Sequence, residues 1–172
     1  MRSARERAGE IEVWADDVPE TWRGAADERG LVPWRYEPCA SAPWITRLEG
    51  ELGLDLPPSV RALYLRYRFL PFDLGGLSLM ANTGEPARVE LTSYVHSDPV
   101  LCPYLLGRGL VPFARPATGA YDPVCFDARR RAAGREYPLV LVDHEAVLTR
   151  ARLKIVREWA PSFEALLQSA VG

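Results

Sequence analysis

The chain is poor in the residues from which active sites are most often built. Its 172 residues hold two histidines, His96 and His144, and three cysteines, Cys39, Cys102 and Cys125, with no Cys-x-x-Cys spacing. An odd, scattered set of thiols argues against both a disulfide framework and a thiolate zinc centre, and it fits a reducing compartment. No Gly-x-Ser-x-Gly elbow, phosphate loop or Gly-x-Gly-x-x-Gly turn occurs, which removes the hydrolases and nucleotide-binding folds that depend on them. No apolar run approaches the roughly 20 residues of a membrane span. The basic N-terminus (Arg2, Arg5, Arg7) has no apolar stretch behind it, so no signal peptide is expected. The cytoplasm is the expected compartment, and neither metal nor cofactor is expected. Lysine is nearly missing as well: Lys154 is the only one among 21 basic side chains, and arginine suits hydrogen bonding at interfaces.

What is present is the composition of an ordinary globular domain. Hydrophobic residues make up 48% and charged residues 26%, too apolar for a disordered chain. A chain of this length forms one domain and removes roughly 70% of its unfolded surface from water. Charge is unevenly placed although the net is only -2. Residues 1–60 hold 12 acidic and 7 basic side chains, a net of -5, and the remainder is net +3. Such an acidic N-terminal region either steers a basic partner or is plain solvated helix surface.

Local patterns place the elements. Ser3 with Glu6, and Asp17 with Glu20, each fit a capping box, so two N-terminal helices are expected, the second ending at Gly30. Residues 31–42, interrupted by Pro33 and Pro38, read as a connector over the surface. Ser41 caps a helix over 43–52 with an apolar face of Trp44, Ile45, Leu48 and Leu52 and a stop at Gly53. A second helix starts at Pro58, its buried face spaced as Val60, Leu63, Tyr64 and Tyr67. Strands are expected over 77–80, 89–94, 110–114, 123–127 and 139–142, with Asn82-Thr83-Gly84 as a turn. A last helix presents Phe163, Leu166, Leu167 and Ala170 on one face, with Trp159 as the staple before it. These elements predict an α+β fold: a largely antiparallel sheet of five or six strands, helices packed on one face, N-terminal helices and a C-terminal helix.

Candidate chemistry is thin. Asp143-His144-Glu145 follows an apolar strand and reads as its exit into a loop, because divalent sites need several converging ligands. Cys125 lies in Val124-Cys125-Phe126, a buried strand where cysteine behaves as a small hydrophobe. Asp122 and Asp127 flank that strand as turn-forming and strand-ending residues. Arg129, Arg130, Arg131 and Arg135 form a solvated loop tip without the interleaved aromatics of a nucleic-acid site. No direct nucleic-acid or membrane binding is expected.

The ordered set of motifs resembles the SUKH superfamily, which includes the yeast Smi/Knr-type cell-wall synthesis regulators and many bacterial immunity proteins. Trp44-Ile45, Leu48-Glu49, Leu52-Gly53 and Leu56-Pro57 match the family's opening helix and the start of its second. Asp73, Gly75 and Gly76 fall where members carry an Asn-Gly-Gly-like turn. Residues 110–114, the Gly119 turn, 122–127, 139–143 and the helix entered through Pro161-Ser162-Phe163 complete the order. The likeness covers 43–81 and 110–171. It implies a SUKH-like domain over 39–172, with 1–38 a helical extension of the same globule. It further implies a non-enzymatic immunity protein that binds and neutralises a polymorphic toxin domain, nucleases being frequent among such toxins. The alternative it implies is a regulatory or scaffolding module that binds endogenous proteins.

If the partner is a nuclease, its cleft is basic, and an acidic face with aromatic anchors complements it. Glu10, Glu12, Asp16, Asp17 and Glu20 surround Trp14 and Trp22, and tryptophan is enriched at interface hot spots. Trp14, Asp16, Asp17 and Trp22 are therefore the expected contact, with Tyr121 and Arg129 on the sheet's loops as the alternative.

Overall fold

Two strands buried at every position set the frame. The computed structural model describes residues 11–18, 25–34, 37–38, 42–83, 90–130 and 135–171. Before the core come β1 (Ile11–Trp14), β2 (Leu31–Trp34) and β3 (Glu37–Pro38). The order continues with α1 (Pro43–Leu52), α2 (Pro58–Arg66), β4 (Tyr67–Arg68), β5 (Phe72–Leu74), β6 (Leu77–Leu79), α3 (Leu91–Val95) and α4 (Leu101–Leu106). It ends with β7 (Leu110–Pro116), β8 (Val124–Asp127), β9 (Leu139–Val142), α5 (His144–Arg150), β10 (Ile155–Ala160) and α6 (Phe163–Val171). Six strands pair antiparallel in the order β10-β9-β8-β7-β6-β5. The fold is α+β. No helix among the described residues is long and apolar enough to cross a membrane.

Every residue of β8 and β9 is buried, which requires cover on both faces of the sheet. Val111, Phe113, Val124, Phe126, Leu139 and Leu141 join a large core with residues of α1, α2 and α6. Phe113 stacks on Phe126 with ring centroids 3.9 Å apart, and Phe163 of α6 meets Phe113 edge-on. The alternate positions Leu110, Cys125, Val140 and Val142 join a smaller core with Leu101 and Leu105 of α4 and Val147 of α5. The helices therefore lie on two faces rather than on the one expected. The alternation of apolar residues along β8 and β9 has no polar phase, and that absence is the sequence sign of double cover.

Where local signals are strong, expectation and structure coincide. α1 spans the expected residues and ends on Gly53 in the left-handed conformation (φ 64°), a stop that glycine makes without Cβ strain. Ala42 holds its N-cap position, and Ser41 lies outside the described residues. In α2 the expected face buries Val60 and Tyr64, while Tyr67 falls past the helix end and is exposed. α6 starts as expected, with Ser162 Oγ accepting the Ala165 amide at 3.0 Å.

Four expectations differ. The first N-terminal helix lies outside the described residues, and so does Glu20 of the second. All of residues 19–24 of the second lie outside them; its expected cap Asp17 closes a 3-10 turn at Ala15–Asp17, and its described end, 25–30, is a turn into β2, not helix. Asp27 makes that turn: its carboxylate accepts the Arg29 and Leu31 amides, both at 2.9 Å. Side-chain capping of this kind competes with the helix the capping box predicted. The connector over 31–42 contains β2, paired with β1, and β3, paired with β4. The strand expected over 89–94 is α3, whose buried Leu91, Tyr94 and Val95 follow i, i+3, i+4 spacing. Asp143 leads into α5 rather than a loop, accepting the Ala146 amide as its N-cap at 2.9 Å.

Candidate functional site

The pairing of β6 with β7 carries an unusual residue. Leu77 and Leu79 face the large core, so Ser78 between them faces the other way, and its partner in β7 is Arg115. A bulge between Pro112 and Ala114 shifts the alternation of β7, letting Phe113 and Ala114 both join the large core and turning Arg115 to the opposite face. Asp73 of β5 pairs with Ser78 in turn. A row of Asp73, Ser78 and Arg115 thus crosses the half of the second face beyond the small core.

Over that row lies a groove made of two joined cavities. The larger, about 710 Å³, is lined by Pro71, Ser78, Met80 and Ser93, and the smaller, about 240 Å³, by Leu101, Pro112, Tyr121, Pro123, His144 and Leu148. Tyr94, Ser97 and Arg115 line both. α3 supplies one wall, and the loop before β8 together with α5 supplies the other. Three large apolar side chains stand exposed at or beside the smaller cavity: Tyr121 (74% exposed), Val100 (60%) and Leu148 (44%).

Arg115 is held but not neutralised. Its Nε donates to Tyr94 Oη at 3.3 Å, and its guanidinium carbon sits 5.0 Å from the Tyr94 ring centroid, a cation–π arrangement. Tyr94 Oη donates to the Ala114 carbonyl. Burial pushes the Tyr94 phenol up to about 12, Arg115 pulling the other way, so it remains a donor at neutral pH. Among the described residues no carboxylate pairs with Arg115, and the hydroxyls of Ser78, Ser93 and Ser97 make no side-chain hydrogen bond. Asp98 also borders the groove, its Oδ1 accepting the Val100 and Leu101 amides at 2.8 and 2.6 Å.

The loop carrying Tyr121 is fastened at its neighbour. Asp122 Oδ1 accepts the His144 amide at 2.9 Å and meets His144 Nδ1 at 2.6 Å. Asp122 is therefore a clamp between the loop and the first turn of α5. Asp127, at the other end of β8, is fully buried and takes Arg129 Nε and Nη2 at 2.7 and 2.8 Å. Burial works against its ionisation, but the hydrogen bonds and charge of Arg129 outweigh it and hold the carboxyl below its usual range. Cys125 is completely buried, and that burial, with Cys102 and Asp127 nearby, pushes its thiol well above its usual value, so no thiolate nucleophile is present there.

The expected contact residues fall in three places. Trp14 (58% exposed) and Asp16, also exposed, lie at the end of β1, with Asp17 closing the 3-10 turn. Trp22 lies outside the described residues. Val18 and Val32 join the large core, so this N-terminal unit packs on that side, away from the groove. Tyr121 borders the groove. Arg129 is committed to Asp127 at the far end of β8, and Arg130 pairs with Glu158 at 2.9 Å, while Arg131 lies outside the described residues. No cluster of three or more metal-ligating side chains occurs among the described residues.

Arg115, Tyr94, Ser93 and Ser97 were not singled out from sequence. Reading 89–94 as a strand hid two of them, Ser93 and Tyr94. Arg115 had a signal: a lone charge at the end of the apolar run Leu110-Val111-Pro112-Phe113-Ala114. No protein-family model matches the chain, and no curated protein matches it in sequence.

Proposed function

We propose that this chain is a non-enzymatic, cytoplasmic immunity protein of the SUKH type that binds and neutralises a toxin domain. The class rests on the order of motifs in the sequence, and the α+β sheet with helices α1 and α2 before it and α6 after it is compatible with that order. The observation that carries protein binding is the rim of exposed Tyr121, Val100 and Leu148 beside a groove holding an unpaired guanidinium. Exposed aromatic and apolar anchors beside polar groups that lack partners are the makings of an interface. The side chains that sequence offers for catalysis have structural employment: Cys125 in the small core, Asp127 on Arg129, and Asp122 with His144 as a loop clamp.

The test is co-expression with a toxin encoded beside this chain's gene. Rescue of growth together with a co-purifying complex is expected. Survival equal to that with an empty vector overturns immunity for that pair and favours the regulatory, endogenous-partner reading.

A further inference from the structure

We infer that the groove receives an extended segment of the partner protein, one of whose carboxylate side chains seats on Arg115 while a neighbouring apolar side chain enters the cavity beside Tyr121. This rests on the protein-binding reading and names the chemistry of its partner. Arg115 presents its two terminal nitrogens with no carboxylate of the described residues to occupy them, and the Tyr94 ring and hydroxyl hold the guanidinium in place. A planar fork held this way suits bidentate pairing with a carboxylate, and little side-chain entropy remains to be lost. The hydroxyls of Ser78, Ser93 and Ser97 stand in the same cavity as further donors and acceptors for the segment's backbone.

Charge decides between anions. Among the described residues Arg115 is the only arginine or lysine lining either cavity, and Asp98 contributes a negative charge beside it. One cation matches one carboxylate, whereas a nucleic acid demands several cations along its path. The two cavities meet at Tyr94, Ser97 and Arg115, so the acidic and apolar side chains are neighbours along one segment. A competing landing place for a peptide, the sheet edge at β10, is guarded. It carries two register irregularities and the charged pair Arg157 and Glu158, with Arg130 bound to Glu158, devices that discourage strand addition.

The experiment is an NMR titration of the full chain with two capped tetrapeptides, acetyl-Ala-Glu-Leu-Ala-amide and acetyl-Ala-Leu-Glu-Ala-amide, and with their glutamine twins. Saturable shifts at Ser93, Ser97, Arg115 and Tyr121 are expected for at least one glutamate peptide. Its glutamine twin, and the Arg115→Gln variant, should each weaken binding about tenfold or more. Arg115→Lys should restore part of the loss, and Tyr121→Ala should weaken binding independently. Thermal melts confirm that these exposed-site variants fold. Equal binding of glutamate and glutamine peptides, unchanged binding by Arg115→Gln, or no saturable binding up to about 10 mM overturns the inference. So does inorganic phosphate binding as tightly as the glutamate peptide. Toxin rescue is scored separately: protection without peptide binding removes the groove and leaves immunity, and peptide binding without protection does the reverse.

Discussion

The carboxylate of Glu136 closes the start of α2 through Ser59, which lies 77 residues earlier in the chain. Oε1 accepts the Ser59 amide at 2.8 Å and Oε2 accepts its hydroxyl at 2.9 Å. Pro57 at the N-cap position offers no side-chain cap, so this distant carboxylate satisfies an amide that the helix leaves open. Glu136→Ala should lower stability by about 1–3 kcal/mol, read by denaturant unfolding, with Glu136→Gln losing less. Because α2 lies on the large-core side, peptide binding in the groove should be unchanged.

Arg129→Ala leaves the buried Asp127 carboxylate without its cation and should cost about 3 kcal/mol at neutral pH. The folded carboxyl sits below its usual range, so its contribution to stability is present above about pH 4 and disappears as pH falls through the lowered folded value. In the variant only the residue-129 amide and the charge of Arg130 still oppose burial, and the carboxyl rises. The gap between wild type and variant should therefore shrink on acidification, as unfolding curves at a series of pH values would show. A gap independent of pH would refute the assignment.

Gly75 has φ +55°, and a Cβ there would lie 2.5 Å from Leu166 Cδ1. Gly75→Ala should cost about 1–3 kcal/mol from overlap alone, with further strain from the backbone. Adding Leu166→Ala removes the overlap but not the strain. The double variant should lose less than the sum of the single losses, and simple additivity in a double-mutant cycle would show that the two do not touch.

Cys125→Ser places a hydroxyl in the small core and should cost about 1–3 kcal/mol. Protection against the toxin, scaled to the amount of folded protein, should be retained. A folded variant that binds its partner normally yet no longer protects would restore an enzymatic mechanism.

Charge reversal of Asp16 and Asp17 at the end of β1 should slow association with a basic toxin most at low salt, through loss of steering. Surface-binding kinetics at two ionic strengths would read this. Unchanged rates would leave the groove as the whole contact.

Elements with a complete local signal were legible without coordinates. α1 has an apolar stripe and a stopping glycine, α2 opens on Pro58, β9 is an unbroken apolar run and β8 is one up to Asp127, so the forces that form them act between near neighbours. α3 was not, because Leu91, Tyr94 and Val95 are too few to separate a helical period from a strand's. β10 was not, because its first four residues are exposed and only pairing with β9 makes them a strand. Asn82 shows the same limit. Its turn-like neighbours suggested an exposed loop, yet its amide is buried, donating to the Tyr64 and Tyr67 carbonyls at 2.7 and 2.6 Å and accepting from Trp44 Nε1.

By itself the sequence determined an α+β chain, most of its central strands and three of its helices, since period, caps and turn residues are local properties. Tertiary structure decided where a partner can bind. Arg115 reaches the second face only because a bulge in β7 shifts its alternation and β6 pairs Ser78 against it. α3 then brings Tyr94 beneath the guanidinium. Register between strands and the docking of a short helix depend on contacts between residues remote in sequence, and no local pattern encodes them.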